Sequence, residues 1–257
     1  MYNNQKLAEK LLSQEATRRV SNQLDQVEEI NIEVQTDLLK ICQGQIDAVS
    51  LAGQGIVVQK QIRLQEINLQ TDSIAINLLS MIFGKITLAE PVNALARIVL
   101  TESDINRAIS SKLIRNLVKT WQLNVAEEII GLELQQMQIS LQNDSQIECQ
   151  GKVLIKEKGK NQTLGYTATI YTPFNSQSTV IRKFYCTEEE GISVEFVLAF
   201  MQSVKSILNL SHFQGENMAF TIKDITVENR KLILMIEAQI KQIPSLDTDF
   251  LVDTEKL

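Results

Sequence analysis

The sequence has little of what catalysis and nucleic-acid binding usually require. Asp and Glu outnumber Lys and Arg by 31 to 25, and the net charge of -6 argues against a nucleic-acid-binding protein and against docking on anionic membranes by charge alone. The only histidine, His212, excludes a multi-histidine zinc site and argues against a Ser-His-Asp triad. The sequence has no GxGxxG motif and no P-loop, since the AGQG at 52–55 lacks the Lys-Ser/Thr that holds phosphates. We therefore expect a protein that is not an enzyme and holds no metal or cofactor.

Cysteines, prolines and long apolar runs are also scarce. Cys42, Cys149 and Cys186 are scattered, which is typical of reduced thiols in a cytosolic protein. An enzyme that used one of them would need a neighbour that stabilises the thiolate. The N-terminal segment MYNNQKLAEKLLSQEATRRV lacks the apolar stretch of a secretory signal, and no run approaches the ~20 apolar residues of a membrane span. These absences predict a cytoplasmic protein with no signal peptide or transmembrane segment.

Apolar and polar residues alternate along much of the chain, as they do in strands with one buried face. In IRLQEINLQTD the apolar positions change phase, because Ile62 and Leu64 precede the polar pair QE whereas Ile67 and Leu69 follow it. The same two-residue polar step recurs in LQQM and IKDI. A β-bulge produces such a step while one face of the sheet stays buried. The three steps predict an α+β fold in which a long, highly curved antiparallel sheet wraps around one or two apolar helices.

The N-terminal residues 3–24 have the composition of an amphipathic helix. Leu7, Leu11 and Leu12 form a narrow apolar stripe, and charged residues of both signs cover the rest of the surface. The helix is expected to pack as a lid on the body of the protein, and the alternative is a membrane-surface or partner helix. The predicted organisation is this helix within residues 1–26, a single lipid-binding-like α+β domain over 27–246 and a polar tail over 247–257.

Two further helices carry the strongest apolar faces. Thr101 and Asp104 form a capping-box pattern at the start of one, and Ser193 precedes the other. The first has a predicted buried side of Ile105, Ile109, Leu113, Leu117 and Trp121. The second is apolar over most of its first turns and is expected to be buried on more than one side, with Phe196, Phe200, Met201 and Val204 inside. Such faces suit either a packed core or an apolar groove for acyl chains, and the pattern alone does not separate the two.

Four stretches together resemble the LmeA-like phospholipid-binding family, in particular a branch from photosynthetic bacteria. They are VEEINIEVQTDLLKICQGQIDAVSLAGQGIVVQKQIRLQEINLQTDSIAIN, LTESDINRAI, FYCTEEEGISVEF and AQIKQIPSL. The resemblance covers residues 27–246. It implies a tubular lipid-binding fold, in which a curved antiparallel sheet is wound about helices and encloses an apolar groove, and it offers no catalytic residues. Many relatives are exported or anchored in the membrane, and this chain has neither signal, which argues for a cytoplasmic protein that touches membranes transiently.

The resulting functional hypothesis is non-enzymatic binding or transfer of phospholipid or another acyl lipid. The predicted groove residues are Ile105, Ile109, Leu113, Leu117, Phe196, Phe200, Met201 and Val204. Lys112, Arg115 and Lys119, at helical spacing, are the predicted headgroup contacts, and the alternative is a solvated cationic helix end. The competing hypothesis is a structural or interaction protein with the same fold and a filled interior, which acts at a membrane or in a complex without bound lipid.

Overall fold

The structure is a computed structural model, and its fold class is α+β, mostly strands, with a strongly curled antiparallel sheet and a few helices, as predicted. Contacts divide the chain into two compact units. Unit 1 comprises Met1–Val99, His212–Lys223 and Leu234–Leu257, and unit 2 comprises Leu100–Ser211 and Asp224–Ile233. The single domain over 27–246 stays a prediction. The structure describes residues 2–58, 60–78, 80, 87–111, 121–126, 128–142, 145–157, 160–172, 180–186, 193–208, 212–214 and 217–242.

Strands dominate the described elements. The helices are α1 (Tyr2–Gln23), α2 (Leu38–Cys42), α3 (Glu102–Ile109) and α4 (Val194–Leu208). The strands are β1 (Glu29–Gln35), β2 (Gln45–Ile46), β3 (Ala48–Val58), β4 (Ile62–Thr71), β5 (Ile74–Ala75), β6 (Val92–Thr101), β7 (Trp121–Val125), β8 (Glu128–Gln142), β9 (Gln146–Glu157), β10 (Lys160–Tyr171), β11 (Val180–Cys186), β12 (His212–Gln214), β13 (Met218–Glu228) and β14 (Lys231–Ile240).

A seven-stranded sheet in the order β1-β3-β4-β6-β14-β13-β12 forms the framework of unit 1, and β2 and β5 make a separate two-stranded sheet. The chain passes between the units at four points, which are Val99–Leu100 in β6, Ser211–His212, Lys223–Asp224 in β13 and Ile233–Leu234 in β14. The crossing in β13 falls inside the IKDI step, where the apolar phase changes from Phe220 and Ile222 to Ile225 and Val227. A bulge at this step stays a prediction.

Helix α1 lies along the outer edge of the seven-stranded sheet. The backbone N–H groups of Ile32, Val34 and Thr36 in and after β1 donate to side chains of α1, at 3.2, 2.9 and 3.3 Å. The acceptors are Thr17 Oγ1, Ser13 Oγ and Glu9 Oε1, respectively, each four residues from the next along the helix. Outward N–H groups of an edge strand otherwise invite pairing with another chain, so α1 protects this edge.

Helix α1 packs on the body of the protein at β1, but its leucine stripe does not face the sheet. Leu7 and Leu11 are each 57% exposed, and Leu12 is half-buried. The line that contacts β1 is polar, because the open strand edge presents hydrogen-bond donors and is best satisfied by oxygen acceptors. The packed side of a helix along a strand edge can therefore be its polar side.

At the LQEI step, both β4 and the neighbouring strand β3 depart from regular strand geometry. Gln54 pairs with Glu66 and Ile56 with Leu64, so the register is the same on both sides and no residue is inserted in one strand relative to the other. Gly55, between the paired positions, has a φ of +60°. A Cβ on Gly53 would lie 2.5 Å from Cδ1 of Ile56, which shows that the side-chain phase of β3 also changes here. The prediction of a bulge at the LQEI step is thus wrong, and the change of phase coincides instead with Gly55, which adopts a left-handed conformation in β3.

Unit 2 is built on a five-stranded antiparallel sheet in the order β11-β10-β9-β8-β7, with α4 packed against it. The four rings of Tyr166, Phe184, Phe196 and Phe200 join strand and helix, with centroid separations of 5.5 to 6.3 Å. Phe200 is completely buried. Offset and edge-to-face ring pairs at such distances contribute about 0.5–1.5 kcal/mol each beyond area burial.

The predicted capping patterns of α3 and α4 are both confirmed. Thr101 and Asp104 make a reciprocal capping box at α3, and Ser193 Oγ accepts a hydrogen bond from the N–H of Phe196 at 3.1 Å. The prediction that the first apolar helix reaches Trp121 is wrong. Trp121 begins β7 and pairs with Leu132 in β8, because the WQLNV segment alternates with the period of a strand.

Candidate functional site

The LQQM step of β8 is a β-bulge, as predicted. Leu134 pairs with Val153, whereas Gln136 pairs with Lys152, so Gln135 is the additional residue. The apolar positions 130, 132 and 134 before the bulge and 137, 139 and 141 after it remain on one face, where they contribute to the packed core. The bulge therefore bends β8 without turning its apolar side chains to solvent.

Glycine at position 151 allows close packing opposite the bulge. A Cβ on Gly151 would lie 2.5 Å from the carbonyl oxygen of Gln136 and 2.8 Å from Oη of Tyr166. Gly151 pairs with Met137 on one side and with Tyr166 on the other. The tyrosine ring thus occupies the space next to a strand position that has no side chain.

A concavity of about 550 Å³ lies at this bulge. Its volume falls within the roughly 300–1,000 Å³ of ordinary small-molecule sites. Both apolar and polar residues line it, namely Ile109, Ser110, Leu134, Gln135, Gln136, Met137, Gln138, Gln150, Gly151, Lys152, Tyr166 and Thr167. We refer to it as the bulge pocket.

The charge of the bulge pocket distinguishes it from two concavities in unit 1. Among the lining residues that the structure describes, the half-buried Lys152 carries the charge. One concavity in unit 1 includes the carboxylates of Asp72 and Glu237, and the other includes both Glu33 and Arg97. Carboxylates in a lining disfavour an anionic group such as a phosphate, and the described lining of the bulge pocket contains none. Of the three, the bulge pocket is therefore the best candidate for a phospholipid headgroup.

Helix α3 forms one wall of the bulge pocket and is held to the free edge of β8 by its side chains. The amide of Asn106 donates to the carbonyl oxygen of Ile139 at 2.7 Å and accepts from the N–H of the same residue at 2.8 Å. One turn earlier, Glu102 Oε2 accepts from the N–H of Leu141 at 2.9 Å. These bonds fix the position of Ile109 and Ser110, which end the helix at the pocket.

A buried thiol and phenol lie beside the pocket, and both are neutral at physiological pH. Burial raises the pKa of Cys149 to about 11, although the bond from its Sγ to Oη of Tyr166 at 3.9 Å acts in the opposite direction. Burial also raises the pKa of the Tyr166 phenol, and it raises the pKa of Cys186. Neither Cys149 nor Cys186 therefore has the stabilised thiolate that a cysteine nucleophile requires.

The structure distributes the predicted groove residues between different environments. Phe196 and Phe200 are buried in the core of α4 and the five-stranded sheet, with Val204 packed against this core and Met201 half-buried. Ile105 lies in a second core cluster with Leu141 and Val227, and Ile109 packs against that cluster. Among the predicted residues, Ile109 lines the bulge pocket. Leu113, Leu117, Lys112, Arg115 and Lys119 lie outside the described residues.

The outer side of α4 differs from the prediction. Val194 and Leu198 are 70% and 54% exposed, so this helix is not buried on more than one side at these positions. A single sheet covers only one side of a helix, so some apolar residues in the first turns of α4 remain exposed on the other side.

Sequence patterns missed most of the bulge pocket. Gln135 and Gln136 were predicted to form a bulge but not a binding site, and Lys152 was assigned no role, because polar residues on a strand normally mark its solvent side. The signal that could have located the pocket is the combination of the LQQM step with a glycine in the next strand. The same kind of step occurs as IRKF in β11, where the register shifts at Arg182. The guanidinium of Arg182 lies 3.8 Å from the ring centroid of Tyr171.

Among the residues that the structure describes, no group of three His, Cys, Asp or Glu side chains is placed to hold a metal ion. Over the same residues, no helix combines the length and the apolar character that crossing a membrane requires.

Comparison with known proteins identifies the family. The sequence matches the family model described as LmeA-like phospholipid-binding over residues 4–237. No curated protein and no solved structure matches the chain. The family match covers most of the 257 residues and agrees with the resemblance seen in the sequence. The chain belongs to the LmeA-like phospholipid-binding family.

Proposed function

We propose that this protein binds phospholipid or a related acyl lipid without converting it and transfers it in the cytoplasm, touching membranes transiently. The observation that carries the proposal is the bulge pocket, whose described lining combines the cationic Lys152 with the apolar surface of Ile109, Leu134 and Met137. Family membership supports the lipid-binding part of the proposal. Each methylene of an acyl chain that leaves water contributes about 0.8 kcal/mol, so even part of one chain provides substantial binding energy.

The headgroup would be held by Lys152 together with amide and hydroxyl groups of the lining. Gln136 and Gln138 flank the apolar Met137, and Ser110 ends the adjacent helix. A hydrogen bond to a charged group contributes about 1.5–3 kcal/mol. The Lys152→Gln variant should therefore bind anionic phospholipid roughly tenfold or more weakly, and its affinity for an uncharged acyl lipid should not change.

Lys156 provides a matched control on the same strand. It lies four residues from Lys152, pairs with Glu133 at 2.5 Å and is not part of the pocket lining. The Lys156→Gln variant should bind both lipids like the parent protein. Equal loss of anionic lipid in the two variants would point to general electrostatics and contradict a headgroup site at Lys152.

A direct test is native mass spectrometry and lipid extraction of the purified protein, followed by transfer of labelled phospholipid between vesicles. We expect bound lipid and transfer. A protein that carries no lipid and transfers none would instead support the alternative of a structural or interaction protein with a filled interior. The specific observation in favour of that alternative is the closed ring cluster around Phe200, which leaves no space between α4 and the sheet at that point.

A further inference from the structure

The hydroxyl group of Tyr166 is a buried polar group in the lining of the bulge pocket. Tyr166 is 7% exposed, and a Cβ on the neighbouring Gly151 would lie 2.8 Å from its Oη. Gly151 also belongs to the described lining of the pocket. Because Gly151 has no side chain, the phenol oxygen of Tyr166 can lie against the pocket at this point.

Two aromatic contacts fix the ring that carries this hydroxyl. The ring of Phe184 stacks on that of Tyr166 with a centroid separation of 6.3 Å and an interplanar angle of 12°. The ring of Phe200 meets Tyr166 edge to face at 5.5 Å. Such pairs are favourable in themselves, so the core holds the phenol in place independently of any hydrogen bond that its hydroxyl makes. A group that is positioned in advance in this way is suited to bind a ligand.

The hydrogen of the Tyr166 hydroxyl is not used within the described part of the chain. Sγ of Cys149 donates to Oη at 3.9 Å, and a thiol is a weak donor. Over the residues that the structure describes, the phenol hydrogen has no acceptor of its own. Buried tyrosine hydroxyls usually find a partner, because a polar group that is buried without a hydrogen bond costs free energy. An acceptor on a bound ligand would remove this cost.

The positions around the hydroxyl indicate which kind of acceptor it meets. Lys152 follows Gly151 in β9, and Met137 is the residue of β8 that pairs with Gly151. A cationic and an apolar position thus flank the phenol oxygen. In a glycerolipid, the ester groups lie between the phosphate and the hydrocarbon chains, and their carbonyl oxygens are uncharged acceptors. Burial raises the pKa of Tyr166, so the phenol stays a neutral donor, which suits an acceptor of this kind.

We propose that Tyr166 donates a hydrogen bond to an ester carbonyl oxygen of the acyl lipid in the bulge pocket, and that the site therefore prefers ester-linked lipids to their ether-linked analogues. This inference rests on the proposed function and narrows it, since headgroup charge and chain burial do not distinguish the two linkages. It gives Tyr166 a second role beside its packing in the core, namely to set how deep the ester groups lie in the pocket.

The test is competition between two phosphatidylglycerols of equal chain length, one ester-linked and one ether-linked, followed by native mass spectrometry of the full chain. The parent protein should bind the ester-linked lipid about three- to tenfold more tightly, as expected for one neutral hydrogen bond. Tyr166→Phe keeps the ring and should abolish this preference by weakening the binding of the ester-linked lipid alone. Tyr185→Phe is the matched control and should keep the preference, because Tyr185 is 59% exposed and is not among the described lining residues.

Infrared spectra of bound lipid give a second measurement, which a purely structural role of Tyr166 would not affect. With ¹³C-labelled ester groups, the carbonyl stretching band should lie at lower wavenumber in the parent protein and in Tyr185→Phe than in Tyr166→Phe, because a hydrogen bond weakens the carbonyl bond. Urea unfolding of the variants shows whether a change in binding merely reflects a loss of stability. An identical carbonyl band in the three proteins would contradict the hydrogen bond.

The outcomes separate this inference from the proposed function. If the parent protein binds the two lipids equally well, the ester contact is overturned while lipid binding stands. If Tyr166→Phe weakens the binding of both lipids equally, Tyr166 acts through packing alone, and the inference is again overturned without loss of the proposed function. A parent protein that binds neither lipid would overturn both.

Discussion

Replacing Gly151 by alanine tests the geometry of the bulge pocket most directly. The added Cβ would lie 2.5 Å from the carbonyl oxygen of Gln136 and 2.8 Å from Oη of Tyr166. The first contact is with backbone in the neighbouring strand, which cannot rotate away as a flexible side chain can. Additional atoms in a closely packed site cost about 1–3 kcal/mol, and we expect this loss in the free energy of unfolding.

Gly131→Ala is the control for the general effect of alanine in a strand. The nearest atom to a Cβ on Gly131 is Cβ of Lys156, at 3.7 Å, which is an ordinary van der Waals contact. Its free energy of unfolding should therefore lie within about 0.5 kcal/mol of that of the parent protein. Gly131 and Gly151 lie in adjacent strands of the same sheet, so the comparison isolates the close approach at the bulge.

The assay is urea unfolding followed by circular dichroism, with all variants at the same pH and salt concentration. Gly151→Ala should shift the midpoint to lower urea and leave the slope unchanged, because the surface exposed on unfolding stays the same. If Gly151→Ala is as stable as Gly131→Ala, the strand opposite the bulge has room for a side chain, and the packing of Tyr166 over Gly151 is refuted.

Three further substitutions probe other features of the fold. Asn106→Ala removes both hydrogen bonds to the β8 edge, so it should lower the free energy of unfolding by about 1–3 kcal/mol and speed amide hydrogen exchange at that edge. The control Arg107→Ala, on the exposed side of α3, should change neither the stability nor the exchange rate. Equal exchange rates in the two variants would contradict the contact between α3 and β8. Gly55→Ala should cost about 1–2 kcal/mol in urea unfolding, because φ is +60° and the new Cβ would meet the Glu28 side chain, and an unchanged midpoint would refute the left-handed conformation. The raised pKa of Cys149 contributes stability that is fully present below about pH 9 and should be lost as the pH rises towards 11. A Cys149→Ala variant should therefore lose less stability between these pH values than the parent protein in urea unfolding. Identical stability profiles against pH would contradict the burial of the thiol.

The sequence allowed the fold class and the caps of two helices to be predicted, because both depend on local patterns. Thr101 with Asp104 and Ser193 are followed by apolar periodicity, and their side chains make the expected hydrogen bonds. The LQQM step predicted a bulge for the same reason, since an inserted residue in one strand leaves a visible change of phase.

Two features were misread because they depend on the partner strand. The LQEI step has the same appearance in sequence as LQQM, yet its cause is Gly55 in the adjacent strand and not an inserted residue. Trp121 continued a helical period from Ile105, but the pairing with Leu132 made it a strand residue. Pairing with a neighbouring strand thus decides between interpretations that the sequence of one segment supports equally well.

The bulge pocket was the least predictable part. The apolar residues that suggested a groove, such as Phe200, fill the core, whereas the pocket is lined by glutamines and Lys152 that a strand pattern assigns to solvent. A concave site formed where strands bend depends on positions far apart in the chain, and no local period marks it.

The protection of β1 by α1 also sets a limit on edge length. Four helix residues advance about 6.0 Å along the helix axis, whereas two strand residues advance about 6.7 Å, so successive hydrogen bonds between α1 and β1 are displaced by about 0.7 Å. The central hydrogen bond, to Ser13, is the shortest at 2.9 Å, and the outer ones, to Glu9 and Thr17, are 3.3 and 3.2 Å long. Each further contact would add about 0.7 Å to this mismatch, so a straight helix can satisfy only a short strand edge with acceptor side chains of similar length. A longer edge would need a curved helix, longer acceptor side chains or a second covering element.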